Sequence, residues 1–129
     1  MAVFEMDHAR DPKEELLSRL GDLSSVEISG NRVLVAVYER PEKTKGGIIL
    51  TDNARAEDRW QGKMGLIVKS GPLAFDVDSG WKHGVDFREG DWVFHRASDG
   101  WSLTIHGVLC RVLYDEQLVG RAATCDEVF

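Results

Sequence analysis

Four histidines, two cysteines and a loose group of aspartates are the residues of this sequence best suited to chemistry. His8, His83, His95 and His106 are scattered, and no His or Cys pair has the spacing of zinc ligands. His95 and His106 fall in or beside predicted strands, where a histidine is more often a hydrogen-bonded structural residue than a ligand. The sequence also has no phosphate-binding loop and no serine elbow. We therefore expect no enzyme activity, no catalytic residue, no metal and no cofactor.

The aspartates and cysteines also have simple structural explanations. Asp76, Asp78 and Asp86 could hold a cation, but they lack the calcium-loop spacing, and a solvated acidic loop is the commoner arrangement. Cys110 and Cys125 fit reduced thiols better than a disulfide framework or a metal motif. Both observations favour a protein that works by binding.

Composition limits the kinds of partner. The chain has 129 residues, of which 43% are hydrophobic and 29% charged, as is typical of one soluble globular domain. A net charge of -6 without a basic patch disfavours nucleic acid as a partner. The apolar runs are too short to span a membrane, and the N-terminus does not read as a signal peptide. We expect a cytoplasmic protein that binds neither nucleic acid nor membrane.

One short stretch is typical of a binding segment. Gly46 and Gly47 are followed at once by Ile48, Ile49 and Leu50, inside a polar and charged connection. Glycines leave the backbone free to bend, and burying three large apolar side chains on a partner contributes on the order of 5 kcal/mol before the ordering entropy is subtracted. This pattern indicates a flexible tether with an apolar hook. A β-strand paired with its neighbours explains the same residues equally well.

A single helix is predicted near the N-terminus. Asp11 can cap it, Pro12 suits its first position and Gly21 can end it. The leucines of this segment are predicted to share one face, and they are Leu16, Leu17 and Leu20. That face covers either the core of its own domain or another protein, and the first arrangement is the more common.

After residue 25 the pattern is that of an all-β domain. Predicted strands lie at 32–38, 64–71 and 91–95, and a hairpin follows at 101–105 and 108–114. Short strands joined by glycine turns indicate a small antiparallel β-barrel or sandwich. Two long connections, 40–63 and 72–88, exceed what such a domain needs and are typical of functional loops. Four tryptophans add candidate contacts: Trp60 and Trp81 on these loops for an interface, Trp92 and Trp101 for the core or a subunit contact.

The chain resembles the chaperonin-10, or GroES-type, co-chaperonins over most of residues 26–121. Five blocks in the family's order carry the resemblance, and they are NRVLVAV from Asn31, KTKGGIILT from Lys43, GLIVKSGP from Gly65, REGDWVF from Arg88 and DEQLV from Asp115.

The resemblance implies a fold, a partner and a binding site. The fold is a small irregular antiparallel β-barrel, preceded here by the short helix. The segment at about 40–63 resembles the family's mobile loop, in which Ile48, Ile49 and Leu50 would contact a host GroEL-type chaperonin while Gly46 and Gly47 supply flexibility. The protein would then cap an ATP-dependent folding chamber. Its subunits would form a heptameric ring, in which residues 26–31 of one pair with residues 118–121 of the next.

The sequence departs from ordinary members in five places. These are an extension at 1–25 that carries the helix, Ile28-Ser29 where the family usually has Pro-Leu, a longer loop after Leu50, an unusual dome-hairpin region at 72–88, and a tail at 122–129. Such departures make the chain resemble bacteriophage-encoded members, which would work in the bacterial host cytoplasm. The alternative is a virion structural protein, a capsid decoration or adaptor that reuses the barrel, with phage capsid protein as its partner. Deletion of residues 1–25 is expected to be tolerated by a co-chaperonin and to detach a virion protein.

Overall fold

The structure, a computed structural model, describes residues 11–39, 49, 63–79, 81 and 85–125. Within these residues one α-helix, α1 (Pro12–Leu20), precedes a sheet of six strands, and two short 3-10 helices lie at Val77–Ser79 and Asp115–Gln117. The strands are β1 (Arg32–Val37), β2 (Met64–Ser70), β3 (Trp92–His95), β4 (Trp101–Ile105), β5 (Val108–Tyr114) and β6 (Leu118–Ala122). The all-β class with a short N-terminal helix is therefore confirmed. In the part of the chain described, no helix has the length and apolar character needed to cross a bilayer.

The strands form one antiparallel sheet in the order β4-β5-β1-β2-β3-β6. β4 and β6 are the two ends of this order, so the hydrogen bonds of the described strands do not close into a barrel. The barrel expected from the sequence is corrected in this respect to an open sheet. An open sheet leaves two edges whose backbone groups can pair with another chain.

The central strand β1 is buried on both faces, as its nearly unbroken apolar sequence predicts. Leu34 and Ala36 point to a cluster that includes α1, and we call this side the helix-covered face. Val33 and Val35 point to the opposite cluster, which includes aromatic residues from the 72–88 connection, and we call this side the aromatic-covered face. The sheet therefore lies between two apolar layers.

Helix α1 is an integral part of the core. Asp11 caps it by accepting a hydrogen bond from the backbone N–H of Lys13, and Gly21 ends it with a φ of +67°. Leu16 and Leu20 are buried on the helix-covered face, so the helix packs on its own domain as the sequence favoured. The prediction that Leu17 shares this face is wrong. Leu17 is 45% exposed, because only the i and i+4 pair points directly at the sheet.

The 72–88 connection packs down on the aromatic-covered face. The rings of Phe75, Trp81 and Phe87 contact one another with centroids 5.0–6.0 Å apart. The indole N–H of Trp81 donates to the backbone oxygen of Val85 at 3.3 Å. Trp81 is half-buried and has contacts inside the domain, and its role at an interface stays a prediction. Trp92 is buried, as predicted for a core residue.

The β4–β5 hairpin turns at His106 and Gly107, which have φ values of +50° and +80°. Positive values at both central positions are typical of the tight turn that favours glycine at the second position. The Nδ1 atom of His106 hydrogen-bonds to the backbone oxygen of Leu20 at the end of α1. The hairpin turn and the helix are thereby held together, and His106 is a structural histidine as its place in the sequence favours.

Candidate functional site

The connection at 40–63 leaves and re-enters the sheet at one place. Val37, the last residue of β1, is paired with Gly65 of β2, and the backbone N–H of Tyr38 donates to the oxygen of Met64 at 3.1 Å. On the returning side, the backbone N–H of His95 donates to the oxygen of Lys63 at 2.9 Å. We call these residues the loop base. Both ends of the connection are thus fixed to adjacent strands.

The loop base is rigid because it is closely packed. Tyr38 is buried with its ring edge-on to Trp92, at a centroid distance of 5.7 Å. Gly65 lies so close to β1 that an added Cβ would be 2.2 Å from Cγ1 of Val35 and 2.8 Å from the oxygen of Ala36. Only glycine permits this approach of the two strands. A rigid base is suited to presenting a segment at a fixed place on the molecule.

Ile49 is the described residue of the predicted hook. It takes part in a single isolated β-bridge, yet its side chain is 67% exposed. An isoleucine at this exposure leaves apolar surface in water that a partner can bury. The exposure fits the hook interpretation, and the bridge fits the alternative of a strand.

The other predicted contact residues lie outside the described residues. These are Gly46, Gly47, Ile48 and Leu50, together with Trp60 of the same connection. Their assignment as a chaperonin-binding segment stays a prediction.

His95 lies at the loop base and is buried. Its Nδ1 is 2.8 Å from the backbone oxygen of Arg96, so this nitrogen carries the proton. Burial lowers the pKa of His95, and the charge of Arg111 lowers it further, against the hydrogen bond to Arg96. Arg111 itself is buried and donates from Nη1 to the backbone oxygens of Ala97 and Asp99, at 2.5 and 3.0 Å. The pair fixes the turn after β3, and His95 serves as a structural histidine.

The remaining titratable candidates do not form a chemical centre within the described ranges. No group of three or more His, Cys, Asp or Glu side chains there could hold a metal ion. Asp86 pairs with Arg88 at 2.7 Å, and Asp76 accepts a hydrogen bond from the backbone N–H of Asp78. Cys110 and Cys125 are both free and buried, and burial raises the pKa of Cys110 to about 11. His8 and His83 lie outside the described residues.

Asp115 is a buried residue that sequence reasoning missed. Its carboxylate accepts hydrogen bonds from the side chain of Asn31 and from the backbone N–H of Phe75, both at 3.1 Å. Phe75 has a φ of +59°, which a bulky residue adopts only when its surroundings hold it there. Asp115 therefore ties the 72–88 connection to the start of β1 and the end of β5. Its adjacency to the strand end in the DEQLV block was a signal, but its partners are 40 and 84 residues away.

The two open edges of the sheet are the other candidate binding surfaces. On β6, Val119 is 65% exposed, and on β4, Trp101 is 68% exposed. Trp101 is thus not a core residue, whereas its alternative role as a subunit contact stays a prediction. Residues 26–31, which the resemblance matches to the family's first strand, belong to no strand of the described chain. Glu27 and Ser29 of this segment are exposed, so another chain could pair with it.

Comparison with known families gives one match over most of the chain. Residues 25–122 match the family described as the chaperonin 10 kDa subunit. The match begins after α1 and ends with β6, so it includes the whole sheet and the connection at 40–63.

Curated relatives agree with this family. Co-chaperonin GroES of Listeria monocytogenes serotype 4b (strain F2365) is 32% identical over 90 residues, which are 70% of this chain and 90% of the relative. Co-chaperonin GroES of Methylorubrum populi is 33% identical over 93 residues, 72% of this chain and 92% of the relative. That of Dinoroseobacter shibae is 31% identical over 90 residues, 70% and 82% of the two chains.

Proposed function

The chain belongs to the chaperonin 10 kDa family, and from this premise we propose that it is a co-chaperonin whose 40–63 connection binds a GroEL-type chaperonin. The family is not a family of enzymes, so binding is the activity that needs a physical explanation. The contact residues in this proposal are Ile48, Ile49 and Leu50, with Gly46 and Gly47 as the hinge. The observation that carries it is the exposed Ile49 between two fixed ends of the loop base.

The contrast between base and hook supports this role. The base holds the two ends of the connection on β1 and β2, so the connection leaves and re-enters the sheet at one place. Ile49 contributes nothing to the core of its own domain, and its burial in an apolar groove of a partner would stabilise the complex by about 1.5–3 kcal/mol. One such side chain gives only weak binding, since ordering the segment opposes it.

Assembly of several copies would make weak contacts strong. We propose a homo-oligomer in which the segment 26–31 of one copy pairs with β6 of the next. β6 is an end strand of the described sheet, and residues 26–31 belong to no described strand. A contact between two different surfaces is head-to-tail, and such contacts generate rings when the rotation closes. Each copy then adds one hook, and linked hooks bind far more tightly than one.

The finer features of this proposal follow the resemblance. They are a heptameric ring, a place in the bacterial cytoplasm, and the capping of a folding chamber. A bacteriophage origin also stays a prediction, motivated by the extension at 1–25, the unusual 72–88 connection and the tail.

The alternative function is that of a virion decoration or adaptor protein. The isolated bridge at Ile49 fits it, because a hook fixed in a sheet could not dock on a chaperonin. The 67% exposure of Ile49 favours the co-chaperonin, since a strand of a rigid structural domain usually buries such a residue.

The test is co-elution with a bacterial GroEL-type chaperonin on a sizing column, with and without ATP. We expect nucleotide-dependent co-elution of the native protein. Replacement of Ile48, Ile49 and Leu50 by serine should abolish it while the circular-dichroism spectrum is unchanged. A folded triple variant that still co-elutes would refute the loop as the contact, and a native protein that never co-elutes would refute the function.

A further inference from the structure

The first part of the 72–88 connection is weakly attached to the domain. Residues 72–78, which we call the strap, contain no buried residue. Leu73 and Val77 are 48% and 68% exposed, whereas Ala74 and Phe75 pack against the cluster of the aromatic-covered face. A segment with few buried apolar contacts is among the first to open in a folded protein.

One buried carboxylate holds the strap in an unfavourable backbone conformation. Phe75 has a φ of +59°, and in this region the Cβ of an L-residue crowds the backbone. The backbone N–H of Phe75 donates to Oδ2 of Asp115 at 3.1 Å. Asp115 is buried, and the side chain of Asn31 donates to its other oxygen, Oδ1, at 3.1 Å. A hydrogen bond to a carboxylate is stronger than one between neutral groups, so this contact can offset the strain at Phe75.

The chain is fixed on either side of the strap. Before it, the backbone N–H of Gly71 donates to the oxygen of Arg32 at 2.8 Å. The approach there is so close that an added Cβ on Gly71 would lie 2.3 Å from the oxygen of Gly30. After the strap, Phe87 is buried in the cluster of the aromatic-covered face. The strap therefore lies between two fixed points.

We propose that the strap opens and closes while the sheet stays folded, and that Asp115 is the residue that keeps it closed. Opening separates the ring of Phe75 from those of Trp81 and Phe87, whose centroids are 5.0 and 5.4 Å away in the closed state. It also releases the strain at Phe75, which offsets part of that loss. The open state uncovers apolar surface of the aromatic-covered face. Asp115 acts through the backbone of Phe75 and is therefore a positioning residue, and its role does not depend on chaperonin binding.

Hydrogen exchange of backbone amides in the native protein tests the opening directly. The reporters are the N–H groups of Phe75 and Trp81, which are bonded to Asp115 and to the backbone oxygen of Asp76. Both should exchange about 100-fold or more faster than the amides of β1. Low urea concentrations should speed exchange in β1 and leave the reporters almost unchanged, because opening the strap exposes little surface. Equal rates and equal urea dependence would overturn the proposal.

Asp115→Ala tests the role of the carboxylate. It removes the acceptor of Phe75, so both reporters should exchange about tenfold or more faster than in the native protein. Asn31→Ala is the control, because it removes the other donor to the same carboxylate and leaves the bond to Phe75. In that variant the reporters should stay within about threefold of the native rates. Equal acceleration by Asn31→Ala, or native reporter rates in folded Asp115→Ala, would overturn the role of Asp115.

Leu20→Ala should give the opposite pattern. Leu20 is buried on the helix-covered face, across the sheet from the strap. Its truncation lowers the free energy of global unfolding, so the β1 amides should exchange faster while Phe75 and Trp81 keep their native rates. Acceleration of both sets of amides by the same factor would show that the strap opens only with the whole domain, contrary to the proposal.

Asp115→Asn keeps the proposal testable if Asp115→Ala does not fold. Its amide offers one oxygen to the two donors, Asn31 and Phe75, where the carboxylate offers one oxygen to each. The reporters should then exchange about fivefold faster than in the native protein, with the β1 amides nearly unchanged. In that case, native reporter rates in the folded Asp115→Asn variant would overturn the proposal.

Discussion

The apolar residues of this domain fall into two groups with different physical roles. Those of the sheet faces, such as Leu34, Met64 and Ile67, have no exposed surface, whereas Ile49, Trp101 and Val119 each keep about two thirds of theirs. The first group stabilises the fold by leaving water. The second group adds little to the stability of the isolated chain. Its apolar surface can still be buried in contacts with other chains, which would stabilise those contacts. Substitutions should therefore separate stability from binding along this division.

The largest effect is expected from removal of residues 1–25. This deletion takes the buried Leu16 and Leu20 from the helix-covered face, and each leucine is worth roughly 2–5 kcal/mol. Single domains are stable by only about 5–15 kcal/mol, so the truncated protein should be largely unfolded or aggregated. Circular dichroism and urea denaturation measure this. The sequence had suggested that a co-chaperonin would tolerate the deletion, and the position of α1 in the core reverses that expectation.

Two leucines of α1 give the same comparison within one helix. Leu20→Ala should lower the free energy of unfolding by about 3 kcal/mol, because Leu20 is buried and would leave a cavity. Leu17→Ala should change it by less than about 0.5 kcal/mol, because Leu17 is largely in water. Urea titrations of both variants provide the values. Similar losses for the two variants would show that the helix does not lie on the sheet as described.

A smaller loss of stability is expected at acid pH, from protonation of the buried His95. The pKa of His95 is lowered in the folded state by burial, so the unfolded chain binds a proton more readily. The contribution of His95 to stability is then complete above a pH of about 6.5 and is lost as the pH falls toward its folded-state value. Arg111, Arg96 and Asp99 are the charged groups around it.

The acid effect is measured as the melting temperature between about pH 7.5 and 5, against a variant that cannot titrate. His95→Asn retains a donor for the oxygen of Arg96, so it should melt with a flatter pH dependence than the native protein. An equally steep decrease in both proteins would assign the acid sensitivity to other groups.

The smallest effect is expected for the two cysteines, whose burial should slow their reaction with thiol reagents. Cys110 and Cys125 are buried, and a pKa of about 11 keeps Cys110 protonated near neutral pH. Native protein should therefore react slowly with Ellman's reagent at about pH 8, and both thiols should react at once in denaturant. Rapid reaction of either thiol in the native protein would mean that this part of the core opens readily.

Local patterns in the sequence predicted most of the fold. The unbroken apolar run of β1, the glycine turns before β3 and inside the β4–β5 hairpin, and the cap of α1 are each decided by neighbouring residues. What the sequence got wrong or missed depends on residues distant in sequence. The exposure of Leu17 depends on how α1 lies on the sheet, and the buried Asp115 has partners 40 and 84 residues away.

The apolar segment of the candidate site could be predicted from the sequence, but the hydrogen bonds of the loop base could not. Gly-Gly followed by three large apolar residues in a polar connection indicates a hook on composition alone. The closure of its base by Tyr38, Met64, Lys63 and His95 requires strands far apart in sequence to be adjacent.

The most direct test compares Ile49→Asp with Val77→Asp, two substitutions at side chains of nearly equal exposure, 67% and 68%. Affinity for a GroEL-type chaperonin with nucleotide and thermal stability are measured for both. On the proposed function Ile49 contacts the chaperonin and Val77 does not. Ile49→Asp should then abolish chaperonin binding with an almost unchanged melting temperature, and Val77→Asp should bind like the native protein. Normal chaperonin binding by a folded Ile49→Asp variant would contradict the division between residues that fold the domain and residues that bind its partner.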